Sequence, residues 1–272
     1  GGAGFEPIGA YATPFTGIFN GQGHVIQNLY INRPTMDYVG LFGYTGSGAE
    51  IRNLGLEGGS VMGENEVGGL VGVNFGTLTS CYATGSVTAA GYYALAGGLV
   101  GKNAGGTLTA CYATGSVTAT ATGEYGDAHA GGLAGENYGP LTSCYATGSV
   151  TAAGYYALAG GLVGVNGGTL TSCYATGMVA GDYIAGGLAG ENYGSLMACY
   201  WDVNTTGRSV DVGYGDGGGI GLSTAQMKQQ ASFGGWDFTT DWTIQEDQTY
   251  PYFPWQAALG HVPVPTIPPG TT

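Results

Sequence analysis

Residues Leu78–Gly101 read LTSCYATGSVTAAGYYALAGGLVG, and Leu141–Gly164 repeats all 24 letters at an offset of 63. A diverged copy, Leu108–Gly135, lies between them with the core LTACYATGSVTA and the closing GGLAG. The pattern continues at Leu170–Gly190 and, weaker, at Ile51–Gly72. The tetrapeptide Gly-Leu-apolar-Gly recurs six times, beginning at Gly40, Gly69, Gly98, Gly132, Gly161 and Gly187, in steps of 29, 29, 34, 29 and 26 residues. A second landmark follows each copy, at Ile51, Leu78, Leu108, Leu141, Leu170 and Leu196, and Ile26 in GHVIQNLYI aligns with it one coil earlier. Self-similarity at a near-constant period marks a stacked-repeat architecture.

The repeat core is rich in Thr, Val, Tyr, Cys and Gly, which favour strands and turns over helix. Glycine every few residues suits tight corners. The period therefore predicts an all-β fold, a parallel β-solenoid (β-helix) of about seven coils. Seven coils stacked at strand spacing make a rod of about 34 Å. Leu78, Cys81, Ala83 and Val87 keep apolar counterparts at Ile51, Leu54, Leu56 and Val61, so these positions are expected to point inward. The first three also align with Ile26, Leu29 and Ile31. Neighbours on a strand alternate, which sends Tyr82, Tyr112, Tyr145, Tyr174 and Tyr200 outward as a column. Asn74, Asn103, Asn137, Asn166 and Asn192 form another column, able to bond amide to amide along the stack.

Composition agrees. Glycine supplies 57 of the 272 residues, and only 8% of residues are charged, with a net charge of −13. Low charge with 43% hydrophobic residues argues against disorder, and no Gly-X-Y register marks collagen. No run of about 18 apolar residues marks a membrane-spanning helix. Five basic residues against 18 acidic ones argue against nucleic-acid binding.

The repeat fades at both ends, which divides the chain into an N-terminal cap (1–20), the solenoid (21–203), a C-terminal cap (204–260) and a Pro-rich extended tail (261–272). Aromatic caps are expected at both ends of the rod: Phe5 and Phe15 over the first coil, and Trp236, Trp242 and Trp255 over the last. Ser223-Thr224-Ala225-Gln226 is a capping-box pattern and predicts one short helix over Thr224–Ala231.

The tetrapeptides, the segment PFTGIFNGQGHVIQNLYINRP with VGLFG, and CYWDVNTTG with GLSTAQMKQQASFGGWDF make the chain similar to GLUG-motif repeat proteins. That resemblance extends to about residue 255 and implies a β-solenoid from a large secreted or surface-anchored bacterial or archaeal protein, some of which resemble filamentous haemagglutinin-type adhesins. It transfers no catalytic residue.

The chemistry-bearing residues are sparse. Cys81, Cys111, Cys144, Cys173 and Cys199 have no metal-ligand spacing. They read as a column of buried thiols, with a disulfide between adjacent coils as the alternative. Glu136 and Glu191 flank equivalent tetrapeptides but fall two coils apart, about 9.6 Å, with no supporting constellation for hydrolysis. Catalytic and metal residues are therefore assigned as none, and no cofactor is expected. Calcium in the acidic loops Glu64–Glu66, Glu124 with Asp127, and Asp211 with Asp216 is a minor alternative. The Thr columns, such as Thr84, Thr114, Thr147 and Thr176, read as a solvated β face rather than an ice-binding one. Asn204-Thr205-Thr206 is a glycosylation sequon.

Tyrosine presents large amphipathic area with little entropy to lose. Tyr82, Tyr112, Tyr145, Tyr174 and Tyr200, with Tyr92 and Tyr155 from the loops, are thus the expected partner or glycan surface. Phe5, Phe15, Trp236, Trp242, Trp255, Pro265 and Pro268 are the expected assembly ends. The chain begins Gly1-Gly2-Ala3, which reads as mature or excised. The expectation is a non-enzymatic subunit of an extracellular self-assembling fibre, a homopolymer joined through solenoid ends and tail. The alternatives are a surface adhesin module binding glycans or host surfaces and, third, a polysaccharide-acting β-helix enzyme.

Overall fold

The computed structural model of the chain describes residues 2–265. It is an all-β parallel solenoid. One coil runs Thr77–Thr79, Tyr82–Ala83, Ser86–Ala89, Tyr93–Gly97 and Val100–Asn103. These strands belong to five sheets, called here the Leu, Tyr, Val, Ala and Asn sheets, of seven, eight, six, five and seven strands. Five coils carry all five strands, and the first closes through the isolated bridge Val39–Val67. The final coil lacks strands in the Val and Ala sheets, so the rod has six turns and a partial seventh.

The identical letters of the repeat become identical register. Leu78 pairs with Ile51 and Leu108, Ala83 with Leu56, and Val87 with Val61 and Val117. Leu78, Cys81, Ala83 and Val87 are all buried in one continuous core. The first coil departs from expectation by one strand. Ile26 pairs with Leu56 in the Tyr sheet, and Phe19 takes the Leu78-equivalent place beside Ile51. The solenoid therefore begins with the strand Ile18–Asn20 and ends with Ile220–Leu222.

Two corner devices recur. Between the Leu and Tyr sheets the chain turns through left-handed residues Asn53, Ser80, Ala110, Ser143, Ser172 and Ala198, with φ between 49° and 52°. The tetrapeptide turns the chain from the Ala to the Asn sheet with its leucine buried in the core. At Gly98 a Cβ would lie 2.3 Å from the Gly132 carbonyl oxygen and 2.7 Å from Ala113 Cβ, so only glycine fits.

The asparagine column is a continuous, buried hydrogen-bonded ladder. Thr45 Oγ1 donates to Asn74 Oδ1 at 2.8 Å. Nδ2 then donates to the next Oδ1 from Asn74 to Asn103 (3.0 Å), Asn137 (2.8 Å), Asn166 (2.8 Å) and Asn192 (2.7 Å). Asn192 finishes on the Asp216 carbonyl. A buried amide must be bonded, and each coil satisfies the one before it.

The ends correct three expectations. At the N-terminal end, Ile8 and Phe15 bridge to Phe42 and Thr45, and the Phe15 and Phe42 rings lie 4.9 Å apart. Phe5 is exposed, at 42%, and does not cover the first coil. The C-terminal aromatic block does not close the last coil. It folds back along the side of the rod, over the Tyr sheet, because Ile220–Leu222 pairs with Tyr200–Asp202 and releases the chain on that face. The expected helix at Thr224–Ala231 is two 3-10 turns, Gln226–Lys228 and Gln230–Ser232, broken by extended Gln229. Its capping box is nonetheless formed: Ser223 N–H donates to Gln226 Oε1 (2.9 Å) and Gln226 N–H to Ser223 Oγ (3.3 Å). A four-residue α-helix, α1, forms instead at Val203–Thr206, capped by the Asp202 carboxylate.

Candidate functional site

The tyrosine column points out of the main core, as alternation requires, but it is covered. Tyr82, Tyr112, Tyr145, Tyr174 and Tyr200 are at most 3% exposed and belong to a second apolar cluster. The first four stack face to face at 4.8, 4.9 and 4.8 Å with rings within 6° of parallel. A strap from Phe233 to His261 lies along them, antiparallel to the stacking direction. Phe233 and Trp236 pack on Tyr200, Trp242 on Tyr174 and Tyr145, Phe253 on Tyr145 and Tyr112, and Trp255 on Tyr112 and Tyr82. Polar links fix the register. Tyr174 donates to the Pro251 carbonyl, Gln256 donates to the Tyr145 hydroxyl, and His261 lies 3.0 Å from the Tyr112 hydroxyl. Burial pushes the Tyr112 and Tyr145 hydroxyls well above the usual phenol range.

This arrangement removes the column as an open binding face. It also withdraws Trp236 and Trp242 from any end-to-end contact, since both are buried, and half-buried Trp255 sits on the flank. The loop tyrosines Tyr92 and Tyr155 are exposed, at 46% and 65%. Pro265 is partly buried near the end of the strap, and Pro268 lies outside the described residues.

A second feature was not anticipated. Between the Ala and Asn sheets the rod has a re-entrant notch whose outward side chains face each other. Val73, Leu95, Leu158 and Val165 are buried there, apart from both apolar clusters. Polar residues interrupt them. Lys102, Glu136, Val165 and Glu191 occupy one register column. Glu136 Oε2 lies 2.8 Å from Lys102 Nζ and Oε1 lies 2.9 Å from His129 Nδ1. Burial alone would raise the Glu136 carboxyl, but His129 and Lys102 outweigh it and hold it at about 2. Glu66, one strand over, is pushed up to about 7 by burial and by Asp37. Glu191 accepts hydrogen bonds from the Tyr156 and Tyr193 hydroxyls. A hint of the Lys102–Glu136 pair was present in the repeat alignment, where opposite charges occupy one column in adjacent coils.

Two carboxyls pushed apart resemble an acid–base pair. Glu136 is nevertheless hydrogen-bonded to His129 through Oε1 and ion-paired to Lys102 through Oε2, and Glu136 and Glu191 stand two coils apart with Val165 between them. Two further carboxylates are likewise engaged: Asp211 accepts from the Gly218 and Gly219 amides at 2.8 Å, and Asp37 accepts from Asn65. Among the described residues no three His, Cys, Asp or Glu side chains converge as metal ligands. The five cysteines are free, buried thiols.

The chain matches the GLUG motif at residues 63–88 and 92–118. It is 46% identical over 89 residues to a halomucin of Haloquadratum walsbyi, covering 32% of this chain and 1% of that protein. It is 43% identical over 81 residues to a "putative Gly-rich membrane protein" of Evansella cellulosilytica, covering 29% of this chain and 9% of that one. The chain thus spans a small part of the length of either relative. Among solved structures, a "putative immunoglobulin A1 protease" from Bacteroides ovatus superposes with a TM-score of 0.63 at 22% identity, over 87% of this chain and 77% of that one. At that identity the likeness is one of fold. No helix among the described residues is long and apolar enough to cross a membrane.

Proposed function

We propose that this GLUG-motif β-solenoid is a non-enzymatic structural rod of an extracellular or cell-surface microbial protein. The observation that carries the reading is the strap. Its aromatic and polar contacts seal the tyrosine face of the coils, and Glu136 and Glu191 are held by neighbouring side chains rather than turned to a substrate. The named relatives, a halomucin and a Gly-rich membrane protein, support a surface setting. The purified chain is expected to leave immunoglobulin A1 and a panel of polysaccharides uncut. Cleavage of any of them, abolished by a substitution at Glu66 or Glu136, would establish an enzyme instead.

End-to-end assembly is the second reading, favoured by the sheet edges. The Leu and Tyr sheets end on Ile18–Asn20 and Val25–Gln27 at one pole, and on Ser195–Met197 and Ile220–Leu222 at the other. Ile18 and Ile220 are at least half exposed there. Parallel strands at opposite poles are complementary head to tail. Assembly would then run through these edges, without Trp236 or Trp242. Electron microscopy of the concentrated chain should show filaments with a constant repeat, and sedimentation as a monomer at all concentrations would end this reading.

A further inference from the structure

We propose that the Asn sheet carries a linear binding site for an extended, uncharged β-linked polysaccharide. The site consists of the residues that directly follow the register column of the asparagine ladder, Thr45 to Gly215. In successive coils these are Gly46, Phe75, Ala104, Tyr138, Gly167, Tyr193 and Asp216. Aromatic and small or polar residues alternate without exception. Phe75, Tyr138 and Tyr193 are exposed, at 38%, 48% and 64%. Their backbones stand two coils apart, about 9.6 Å at the spacing of paired strands. That is the order of one disaccharide advance in an extended β-linked glycan, whose flat sugar faces recur with the same sense every second ring.

The row is held rigidly. The backbone N–H groups of Tyr138 and Tyr193 donate to the carbonyls of Asn103 and Asn166 at 2.8 Å. Phe75 N–H donates to Thr45 Oγ1 at 3.2 Å. The spacing of the ring-bearing backbones is therefore inherited from the buried ladder, and a preorganised site loses little entropy on binding. The small residues between them have a role. A Cβ on Gly167 would lie 2.8 Å from Tyr138 Cδ1, so the bare backbone of one coil gives the ring of the previous coil room to lie over it. The Lys102 ammonium, 5.3 Å from the Tyr138 ring centroid, steadies that ring, and the Tyr193 hydroxyl is tied to Glu191.

Rings with polar groups beside them suit sugars, which present an apolar face and a hydroxyl rim. The open, linear form suits the middle of a long polymer rather than a chain end. Charge selects among polymers. Lys102 is already paired with Glu136 and the chain carries −13 overall, so uronate and sulfated glycans are disfavoured. The proposal goes beyond the structural reading above and holds whether or not the rods stack.

The test uses the whole 272-residue chain with cellulose, chitin and cellohexaose as probes, and amylose and hyaluronan as controls. Retention on a β-1,4-linked probe is expected, with little on either control. Cellohexaose should bind at least tenfold more tightly than cellobiose, because only the longer chain reaches two rings. Tyr138→Ala and Tyr193→Ala should each weaken binding about two- to tenfold, while Tyr30→Ala, on the Val sheet, leaves it unchanged. Melting temperatures of the variants, expected to match the parent, separate loss of contact from loss of fold. Three results would overturn the proposal: no β-linked glycan is retained, the Tyr138→Ala/Tyr193→Ala double variant binds like the parent, or the row captures a protein while ignoring every glycan.

Discussion

Tyr174 donates its hydroxyl proton to the Pro251 carbonyl at 2.7 Å, joining positions 77 residues apart. One partner is a rung of the repeat and the other belongs to the strap that follows it, so the strap is an integral part of the rod. Trp242, 1% exposed and packed on Tyr145 and Tyr174, is, with Phe253, its most buried aromatic contact. Trp242→Ala should cost about 3–5 kcal/mol, read as a shift in the urea midpoint. Truncation after Ser232 should leave a chain that binds hydrophobic dyes and self-associates. A truncated chain that melts like the parent would show the strap to be passive.

Acid stability should depend on Glu136. Its carboxyl is held at about 2 in the fold, below the ordinary carboxylate value of about 4.3. A depressed value adds stability above the unfolded pKa, lost as pH falls through the folded one. The contribution, about 3 kcal/mol, should disappear between about pH 4.5 and pH 2. Glu136→Gln should flatten that limb of the stability profile.

Glu66 acts in the opposite sense. Its carboxyl titrates at about 7 in the fold, above its unfolded value, so ionisation opposes folding. Stability should decline as pH rises from about 4.5 and level off above 7. Denaturant midpoints measured across this range should show the decline in the parent and its absence in Glu66→Gln. A flat parent profile would contradict the buried setting of this carboxyl.

The asparagine ladder predicts an unusual ranking. Asn137 donates to Asn166 Oδ1 and to the Gly139 carbonyl, and accepts from Asn103 Nδ2 and the Gly139 amide. Asn137→Ala leaves these groups unpaired and should cost about 2–4 kcal/mol. Asn137→Asp, nearly the same shape, can no longer donate and should cost as much or more. Chemical denaturation of the two variants checks the order.

All five cysteines are buried and free. The native chain should resist thiol reagents, and all five thiols should react in denaturant, with no change of mass on prior reduction. Rapid labelling of the folded protein would mean that the coils open.

The coil register, the inward cysteines and the asparagine column were legible because each depends on one residue type recurring at one period. Ile26 was misplaced because the first coil keeps the pattern only loosely, and Phe19 carries the Leu-sheet position. The strap was misread for a physical reason. A block of aromatics after a fading repeat can cover an end or a side, and the choice is made by the pairing of Ile220–Leu222 with Tyr200–Asp202, which no local pattern encodes. A signal existed in the tyrosine column itself: five large rings on a chain with so little charge need a covering partner. The notch was missed because it brings together residues seven apart, His129 and Glu136, across a glycine turn whose sharpness only the structure reveals.

The strap also acts as a gauge of length. Leu78–Gly101 and Leu141–Gly164 are the same sequence, yet Tyr82 meets Trp255 and His261 while Tyr145 meets Trp242, Phe253 and Gln256. Repeats that are interchangeable from the inside are thus individually addressed from the outside. Duplicating or deleting one coil would keep the pattern of core contacts and still leave the strap one rung short or long. Coil number in this segment is therefore a counted quantity, checked by a piece of chain that is not itself repeated.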